Sequence, residues 1–321
     1  MEGGSKLWIE KYRPRTFDDV KGHDAIVERL RSFVKQKNLP HLLFSGPAGV
    51  GKTSLILVIV KELFGEDWRQ NFLELNASDD RGIDVVRNTI KDFARTKAIG
   101  NVPFKIIYLD ECDSLTTEAQ QALRRTMENY TDSTRFCLSC NYSSKIIDPI
   151  QSRCAIFRFK PLSKESISEI ITNLANEERL KIDDGVIDAI YEISNGDVRR
   201  VQNILQSCAS ISNKINKKLI YDIASAAEPK EIKEILDLAI KGKFIDSRNK
   251  LLDTMLKYGL SGLDLIKQIQ KEILTLNIDD KKKMELIERC GEIEFRIVEG
   301  SDDFLQLESL LASFVKNALN K

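Results

Sequence analysis

The chain has 321 residues, enough for two or three domains that each have a core. Its composition is that of a globular protein, with 42% hydrophobic and 31% charged residues, and its 49 basic residues balance its 49 acidic ones. A formal net charge of zero excludes nucleic-acid binding driven by the field of the whole molecule, so such a contact must come from a local basic patch.

The apolar runs are too short to cross a bilayer, since the longest extends only from Leu55 to Val60. The first residues lack the apolar stretch of a secretory signal, and the scattered cysteines favour a reducing intracellular compartment. The cysteines are dispersed, and the pair Cys137 and Cys140 falls within an apolar run. Because a structural zinc site needs four ligands, we interpret these thiols as small buried side chains.

In chain order, a first helix is predicted from about His23 to Gln36. Short apolar runs, typical of strands, follow at residues 42–45, 72–75, 105–109, 135–140 and 155–159. Helical patterns lie between most of them, at residues 53–64, 83–96 and 117–130. This alternation predicts an α/β fold built on a parallel, doubly wound, five-stranded sheet.

Beyond Pro161 every segment has helical period. We predict an α/β domain over residues 1–161, a small helical domain over 162–227 and a second all-α domain over 228–321. The last domain consists of amphipathic helices without a catalytic cluster, which favours packing against a partner such as another copy.

The stretch after the first strand fits the phosphate-loop pattern G-x-x-x-x-G-K-[ST]. Glycines let backbone N–H groups turn toward phosphate oxygens, and the following helix adds partial positive charge. Lys52 can reach the β- and γ-phosphates of ATP, and the Thr53 hydroxyl can bind Mg²⁺. The alternative is a chance match in a glycine-bearing turn. The predicted nucleotide-binding residues of this stretch are Gly46, Pro47, Ala48, Gly49, Val50, Gly51, Lys52, Thr53 and Ser54.

Polar side chains also follow two later strands. Asp110 and Glu111 end one strand, and Asn141 follows another. The carboxyl ends of parallel strands form one edge of the sheet, so these groups are expected beside the phosphate loop. There Asp110 could hold Mg²⁺, Glu111 could orient the attacking water, and Asn141 could contact the γ-phosphate or that water.

Several basic residues are candidates for phosphate contacts. Arg153 and Arg199 could sense the charge of a nucleotide, or they could be ordinary surface arginines. Arg87, Lys91 and Arg95 recur at helical spacing, so they could follow a nucleic-acid backbone or form a solvated charged face.

Together these residues resemble a known family over nearly the whole chain. The chain is similar to the small subunits of replication factor C, the sliding-clamp loader family of AAA+ ATPases, and leans toward its archaeal branch. The phosphate loop is shared with many NTPases, whereas Ser152-Arg153-Cys154 and Asn76-Ala77-Ser78-Asp79-Asp80-Arg81-Gly82 are specific to clamp loaders. Further matching segments are residues 8–14, 110–111, 121–128, 139–141 and 196–199.

The resemblance implies an AAA+ domain, a helical lid and an oligomerisation collar. It assigns catalysis to Lys52, Asp110, Glu111, Asn141, Arg153 and Arg199, with Arg153 acting on the ATP of a neighbouring subunit. It assigns the nucleotide base to Tyr12, Arg13 and Val20, Mg²⁺ to Thr53 and Asp110, and DNA to Arg81, Arg87 and Lys91. Lys21 and His23 depart from the family pattern near the base.

The implied partners are other small subunits and a large subunit in a heteropentamer, the clamp PCNA and primer–template DNA. The location would be cytoplasmic in an archaeon and nuclear in a eukaryote. Rival interpretations are a non-hydrolysing scaffold subunit, a DNA motor such as a branch-migration helicase, and a small-molecule kinase. Intact Glu111, Asn141 and Arg153 argue against the scaffold, and Ser152-Arg153-Cys154 argues against the kinase.

Overall fold

The computed structural model describes residues 7–79, 82–100 and 102–319. The chain divides into two compact units. The first extends to Leu180 and also contains Ile190–Gln206, and the second contains Lys181–Ala189 and the chain from Ser207 onward. The predicted division into three domains remains a prediction.

The first unit is organised around a five-stranded sheet, and all of its strand pairs are parallel. The strand order is β2-β3-β4-β1-β5. Strands β1, β3 and β4 are almost wholly buried, as expected for the centre of a parallel sheet covered on both faces. The strands are β1 (His41–Ser45), β2 (Phe72–Asn76), β3 (Lys105–Asp110), β4 (Thr134–Cys140) and β5 (Cys154–Arg158).

Helices connect these strands and cover the sheet. They are α1 (Trp8–Lys11), α2 (Asp24–Lys35), α3 (Lys52–Phe64), α4 (Ile83–Val85), α5 (Lys91–Arg95), α6 (Thr117–Asn129) and α7 (Asp148–Gln151). Helix α3 is buried along the run from Leu55 to Val60, so its position in the core explains why that run is apolar on every side. Leu123 and Met127 of α6 pack with strand residues such as Ile107 in one buried cluster.

The predicted helix over residues 83–96 is interrupted. A π-helical turn, Val86–Ile90, lies between α4 and α5. Val86 and Ile90 remain fully buried. The π-helical turn, which contains one more residue than an α-helical turn, therefore keeps the apolar face in the core. The hydrophobic spacing alone could not reveal this irregularity, because the same residues face the core.

The helices after the sheet are α8 (Lys164–Glu177), α9 (Val186–Ser194), α10 (Val198–Ile211), α11 (Lys217–Ala224), α12 (Pro229–Ile240), α13 (Phe244–Tyr258), α14 (Gly262–Ile273), α15 (Asp280–Val298) and α16 (Asp303–Leu319). Two short strands, β6 (Lys181–Ile182) and β7 (Lys214–Ile215), pair in parallel. The expectation that every segment beyond Pro161 is helical was therefore wrong at these residues. Two-residue strands are too short to show a period of their own.

In the second unit the helices after α11 share one apolar core. Its fully buried members include Ile235, Ile269, Ile293 and Leu310, which come from α12, α14, α15 and α16. The predicted α/β fold class, with a parallel P-loop sheet followed by helical regions, is confirmed. None of the helices within the described ranges is both long and apolar enough to span a membrane.

Candidate functional site

Three strand ends meet at the carboxyl edge of the sheet. Gly46 follows β1, Asp110 ends β3 and Asn141 follows β4, and the sheet order places β4 directly between β3 and β1. Ser45 pairs with Cys140, which brings the start of the phosphate loop beside Asn141. The predicted convergence of these groups therefore follows from the observed strand order.

Lys52, the charged residue of the phosphate loop, is buried, with a relative exposure of 8%. Its ammonium donates to the carbonyl oxygens of Gly46 at 2.6 Å and Pro47 at 2.8 Å, and to Asn141 Oδ1 at 3.4 Å. Burial lowers the pKa of Lys52, and the Asp110 carboxylate opposes this shift. A buried cation with neutral oxygen partners is well suited to receive a phosphate oxygen.

Thr53 and Asp110 lie together beside this lysine. The Thr53 hydroxyl donates to Asp110 Oδ2 at 3.0 Å and is 3.0 Å from the Tyr108 hydroxyl. Within the described ranges no group of three or more His, Cys, Asp or Glu side chains could hold a metal ion. One carboxylate and one hydroxyl still fit Mg²⁺, which retains waters and takes further oxygens from a bound phosphate.

Glu111 has an unusual backbone. Its φ of 51° is in the left-handed region, which non-glycine residues rarely adopt. The Glu111 N–H donates to Asp110 Oδ1 at 2.9 Å, and the Glu111 side chain is exposed in the cleft. Residues held in such conformations cluster at functional sites.

The start of α10 closes against the phosphate loop. The Val198 N–H donates to the Gly49 carbonyl at 3.0 Å. A Cβ atom on Gly49 would lie 1.7 Å from Asp197 Oδ1, and Gly49 has a φ of 71°. Only glycine permits this approach, which places Arg199 among the residues that line the cleft.

The cleft has a volume of about 270 Å³. The residues that line it on the N-terminal side are Ile9, Tyr12, Arg13, Pro14, Asp19, Val20 and Lys21, and those from the later helices and their connections are Leu162, Ile170, Val198, Arg199 and Gln202. Leu162, Ile170 and Gln202 were not identified from the sequence as residues of the site. Ile170 and Gln202 show only the spacing of the helices that contain them, and Leu162 shows no pattern of its own.

The two departures from the family pattern have different positions. Lys21 lines the cleft and forms an ion pair with Glu169 at 2.8 Å. His23 is buried behind the loop, where its Nε2 lies 3.1 Å from the Val50 carbonyl oxygen, and burial lowers the pKa of its imidazole. His23 therefore supports the loop instead of lining the cleft.

The predicted residues Arg153, Arg87 and Lys91 do not line this cleft. Arg153 donates to the Pro149 carbonyl at 2.6 Å and forms an ion pair with Glu128. Arg87 and Lys91 line a separate hollow of about 450 Å³, together with Arg125. Arg81 lies outside the described residues.

Comparisons with known proteins agree with this geometry. Residues 42–162 match the ATPase family associated with various cellular activities (AAA), and residues 227–313 match the replication factor C C-terminal domain. A replication factor C small subunit from Methanococcus maripaludis is 54% identical over 96% of this chain and 98% of its own length. One from Sulfurisphaera tokodaii is 54% identical over 95% of this chain and 94% of its own length.

A solved structure of the Thermotoga maritima RuvB Holliday junction branch migration motor is similar with a TM-score of 0.55. It shares 18% identity and covers 71% of this chain and 79% of its own. At that identity the likeness concerns the fold alone.

The parallel sheet, the phosphate loop and the acidic strand end agree with the family match, which identifies the chain as an AAA ATPase that binds and hydrolyses ATP. The extent and identity of the archaeal matches show the particular family. The chain belongs to the replication factor C small subunits, which are ATPase subunits of the multisubunit clamp loader of DNA replication.

Proposed function

We propose that this chain binds Mg²⁺-ATP in the cleft and hydrolyses it within an assembly of related subunits. The assembly would thereby open the sliding clamp, PCNA, and load it onto primer–template DNA. One observation carries the proposal: polar groups from four separate segments line one cleft, and Arg153 is not among the described residues that line it. Those groups are Lys52, Thr53, Asp110, Glu111, Asn141 and Arg199.

In this proposal the residues of the cleft have different roles in binding and hydrolysing ATP. Lys52 and Arg199 neutralise the phosphates, and Thr53 and Asp110 hold the metal ion, which would offset charge that develops on the transferred phosphoryl group. Glu111 orients the attacking water, and Asn141 holds that water or the γ-phosphate.

Arg153 would act on a neighbouring subunit. Its side chain is 36% exposed, and its contacts with Glu128 and the Pro149 carbonyl lie at the surface of its own unit. A guanidinium is permanently charged and can donate two hydrogen bonds to a phosphate, so it suits a site supplied in trans. Such an arginine contributes about 10³- to 10⁵-fold in hydrolysis rate.

The basic hollow supports a contact with DNA. Arg87, Lys91 and Arg125 line it and come from two neighbouring helical segments. Cations in a row contact phosphates without reading sequence, which is appropriate for a protein that acts wherever a primer ends. The assignment of DNA binding to Arg81 remains a prediction from the sequence.

An apolar strip on α15 supports packing against another subunit. Met284, Phe295 and Val298 are exposed by 65%, 66% and 62% and recur on one helical face. Gly291 lies on that face, and a Cβ there would meet no atom within 4 Å. The opposite face, which includes Ile293, packs in the core, so the apolar strip is not needed for the core of its own unit.

The test is clamp loading by the reconstituted complex. In that complex Arg153→Ala should preserve ATP binding and reduce DNA-stimulated hydrolysis and PCNA loading by at least about 10³-fold, because the transition-state charge loses its donor. Arg31→Ala is the matched control, since Arg31 is 37% exposed and pairs with a single carboxylate, Asp18. It should leave both rates unchanged.

Loss of ATP binding by the Arg153 variant, or undiminished hydrolysis, would contradict the trans assignment. ATP hydrolysis without PCNA loading onto primed DNA would contradict the proposed function as a whole.

A further inference from the structure

The nucleotide cleft has two walls from distant parts of the sequence. Tyr12 and Val20 belong to the N-terminal wall, and Ile170 and Gln202 belong to the wall formed by α8 and α10. Neither wall is part of the phosphate loop, so the loop alone cannot fix the spacing between them. Other contacts must hold the walls at the distance that a nucleobase requires.

The short helix α1 and the residue after it make three such contacts. The Trp8 N–H donates to Gln206 Oε1 at 3.0 Å, and the Lys11 ammonium donates to Glu178 Oε1 at 2.6 Å. The Tyr12 hydroxyl donates to the same Glu178 oxygen. One carboxylate therefore connects the wall that contains Tyr12 to the end of α8.

Glu178 is in an unfavourable position for a carboxylate without such partners. It is the C-cap residue of α8, where the helix dipole disfavours negative charge. The Lys11 ammonium, followed by the Tyr12 hydroxyl, holds the pKa of Glu178 below its ordinary value. The side chain of Glu178 is only 22% exposed, so these contacts are partly shielded from water.

We propose that Glu178 is a positioning residue for the nucleobase, because it fixes the Tyr12 ring in the wall of the cleft. This inference rests on the proposed function of the cleft in binding ATP. Glu178 is not among the described residues that line the cleft, so it acts through Tyr12. In the proposed function Lys52 and Arg199 contact the phosphates, and neither bonds to Glu178 or Tyr12 among the described contacts, so the effect of Glu178 should be confined to the base.

The test compares ATP with inorganic tripolyphosphate, which carries the phosphates without a base. In the full-length chain, Glu178→Ala should weaken ATP binding about tenfold, as expected for the loss of charge-assisted hydrogen bonds. Tripolyphosphate affinity should remain unchanged. Isothermal titration calorimetry measures both affinities under the same conditions.

A double-mutant cycle tests whether Glu178 acts through Tyr12. Tyr12→Phe removes the hydroxyl and keeps the ring, so it should also weaken ATP binding. Adding Glu178→Ala to that variant should cost less affinity than it does in the unmodified chain, because the shared contact is already lost. If the losses of ATP affinity from the two substitutions are fully additive, Glu178 does not act through Tyr12, and the proposal is overturned.

The second unit offers a matched control. Lys257 Nζ is 2.8 Å from Glu231 Oε1 and 2.7 Å from the Tyr258 hydroxyl, so these three residues repeat the chemistry of Lys11, Glu178 and Tyr12. Glu231 does not line the cleft. Glu231→Ala should therefore leave the ratio of ATP affinity to tripolyphosphate affinity unchanged.

Glu178→Gln provides a second variant if the alanine protein does not fold. Its amide oxygen can still accept from Tyr12 but cannot form the ion pair with Lys11, so ATP affinity should fall about threefold. Equal weakening of ATP and tripolyphosphate, or unchanged ATP affinity, would overturn the proposal. These measurements need no clamp, so a failure of PCNA loading is distinguishable from a failure of this inference.

Discussion

The nucleotide cleft and the surface around Arg153 are built differently. In the cleft, Lys52 is 8% exposed and has three oxygen partners, and Thr53 bonds directly to Asp110. Arg153 is 36% exposed and its partners lie at the surface. The polar groups of the cleft are thus fixed by one another, whereas the contacts of Arg153 can be exchanged at little cost.

This difference predicts where a substitution in each region should have its effect. A change in the cleft should be felt by the isolated chain, because several groups there depend on the same neighbours. A change near Arg153 should be felt only when a second subunit provides the nucleotide. The following predictions test that distinction.

The largest effect is expected from Asp110→Asn. Replacing the carboxylate removes the charged group that is proposed to bind the metal ion, an interaction worth several kcal/mol, so Mg²⁺-dependent hydrolysis should fall about 10³-fold. ATP binding measured in EDTA should change little, because the phosphates keep Lys52. Hydrolysis that survives in the variant, measured as phosphate release, would show that the metal is held elsewhere.

A smaller effect, still within the cleft, is expected from Gly49→Ala. The new Cβ would lie 1.7 Å from Asp197 Oδ1, so the Asp197 side chain must shift, which disturbs the bond it accepts from the Arg200 N–H at the start of α10. We expect ATP affinity to fall at least about tenfold, because Arg199 lies in the same turn of α10. Equilibrium binding of a fluorescent ATP analogue to the isolated chain measures this effect.

Gly65→Ala is the control for Gly49→Ala. Gly65 also has a positive φ, 58°, but an added Cβ there would meet no atom within 4 Å. It therefore imposes backbone strain without the clash, and ATP affinity should be unaffected. If both variants lost ATP affinity equally, backbone strain alone would explain the effect of Gly49→Ala.

The smallest effect is expected from Glu128→Gln, on the other side of the comparison. Glu128 Oε1 bonds to Arg153 and also to Arg124, at 2.9 Å. Neutralising it removes an exposed ion pair that, in the proposed trans arrangement, would compete with a neighbour's phosphate for Arg153. We expect hydrolysis by the complex to rise by up to about fivefold, with ATP binding by the isolated chain unchanged. A lower rate in the complex would instead make Glu128 a support for Arg153.

The meeting of the phosphate loop with two polar strand ends could be predicted from the sequence. Gly46, Asp110 and Asn141 each follow an apolar run, and parallel strands bring such ends to one edge. The strand order could not be predicted, although it decides that β4 lies between β3 and β1.

The residues around the proposed position of the nucleobase could be predicted far less well from the sequence. Tyr12, Arg13 and Val20 were assigned by resemblance alone, and Ile170 shares its helical spacing with core residues. Glu178 has the sequence signature of any acidic residue at a helix end, because its partners Lys11 and Tyr12 are distant in the chain. Contacts of this kind depend on the tertiary fold and leave no local pattern.

The environment of Lys52 has a consequence for the heat resistance of the subunit. Among the described residues its hydrogen-bond partners are neutral oxygens, so its charge is buried without a bonded carboxylate. A nucleotide brings the missing negative charge and binds only the folded chain. At a concentration 100 times its Kd, such a ligand adds about 2.7 kcal/mol to the free energy of unfolding. The melting temperature of this subunit should therefore rise with the nucleotide supply.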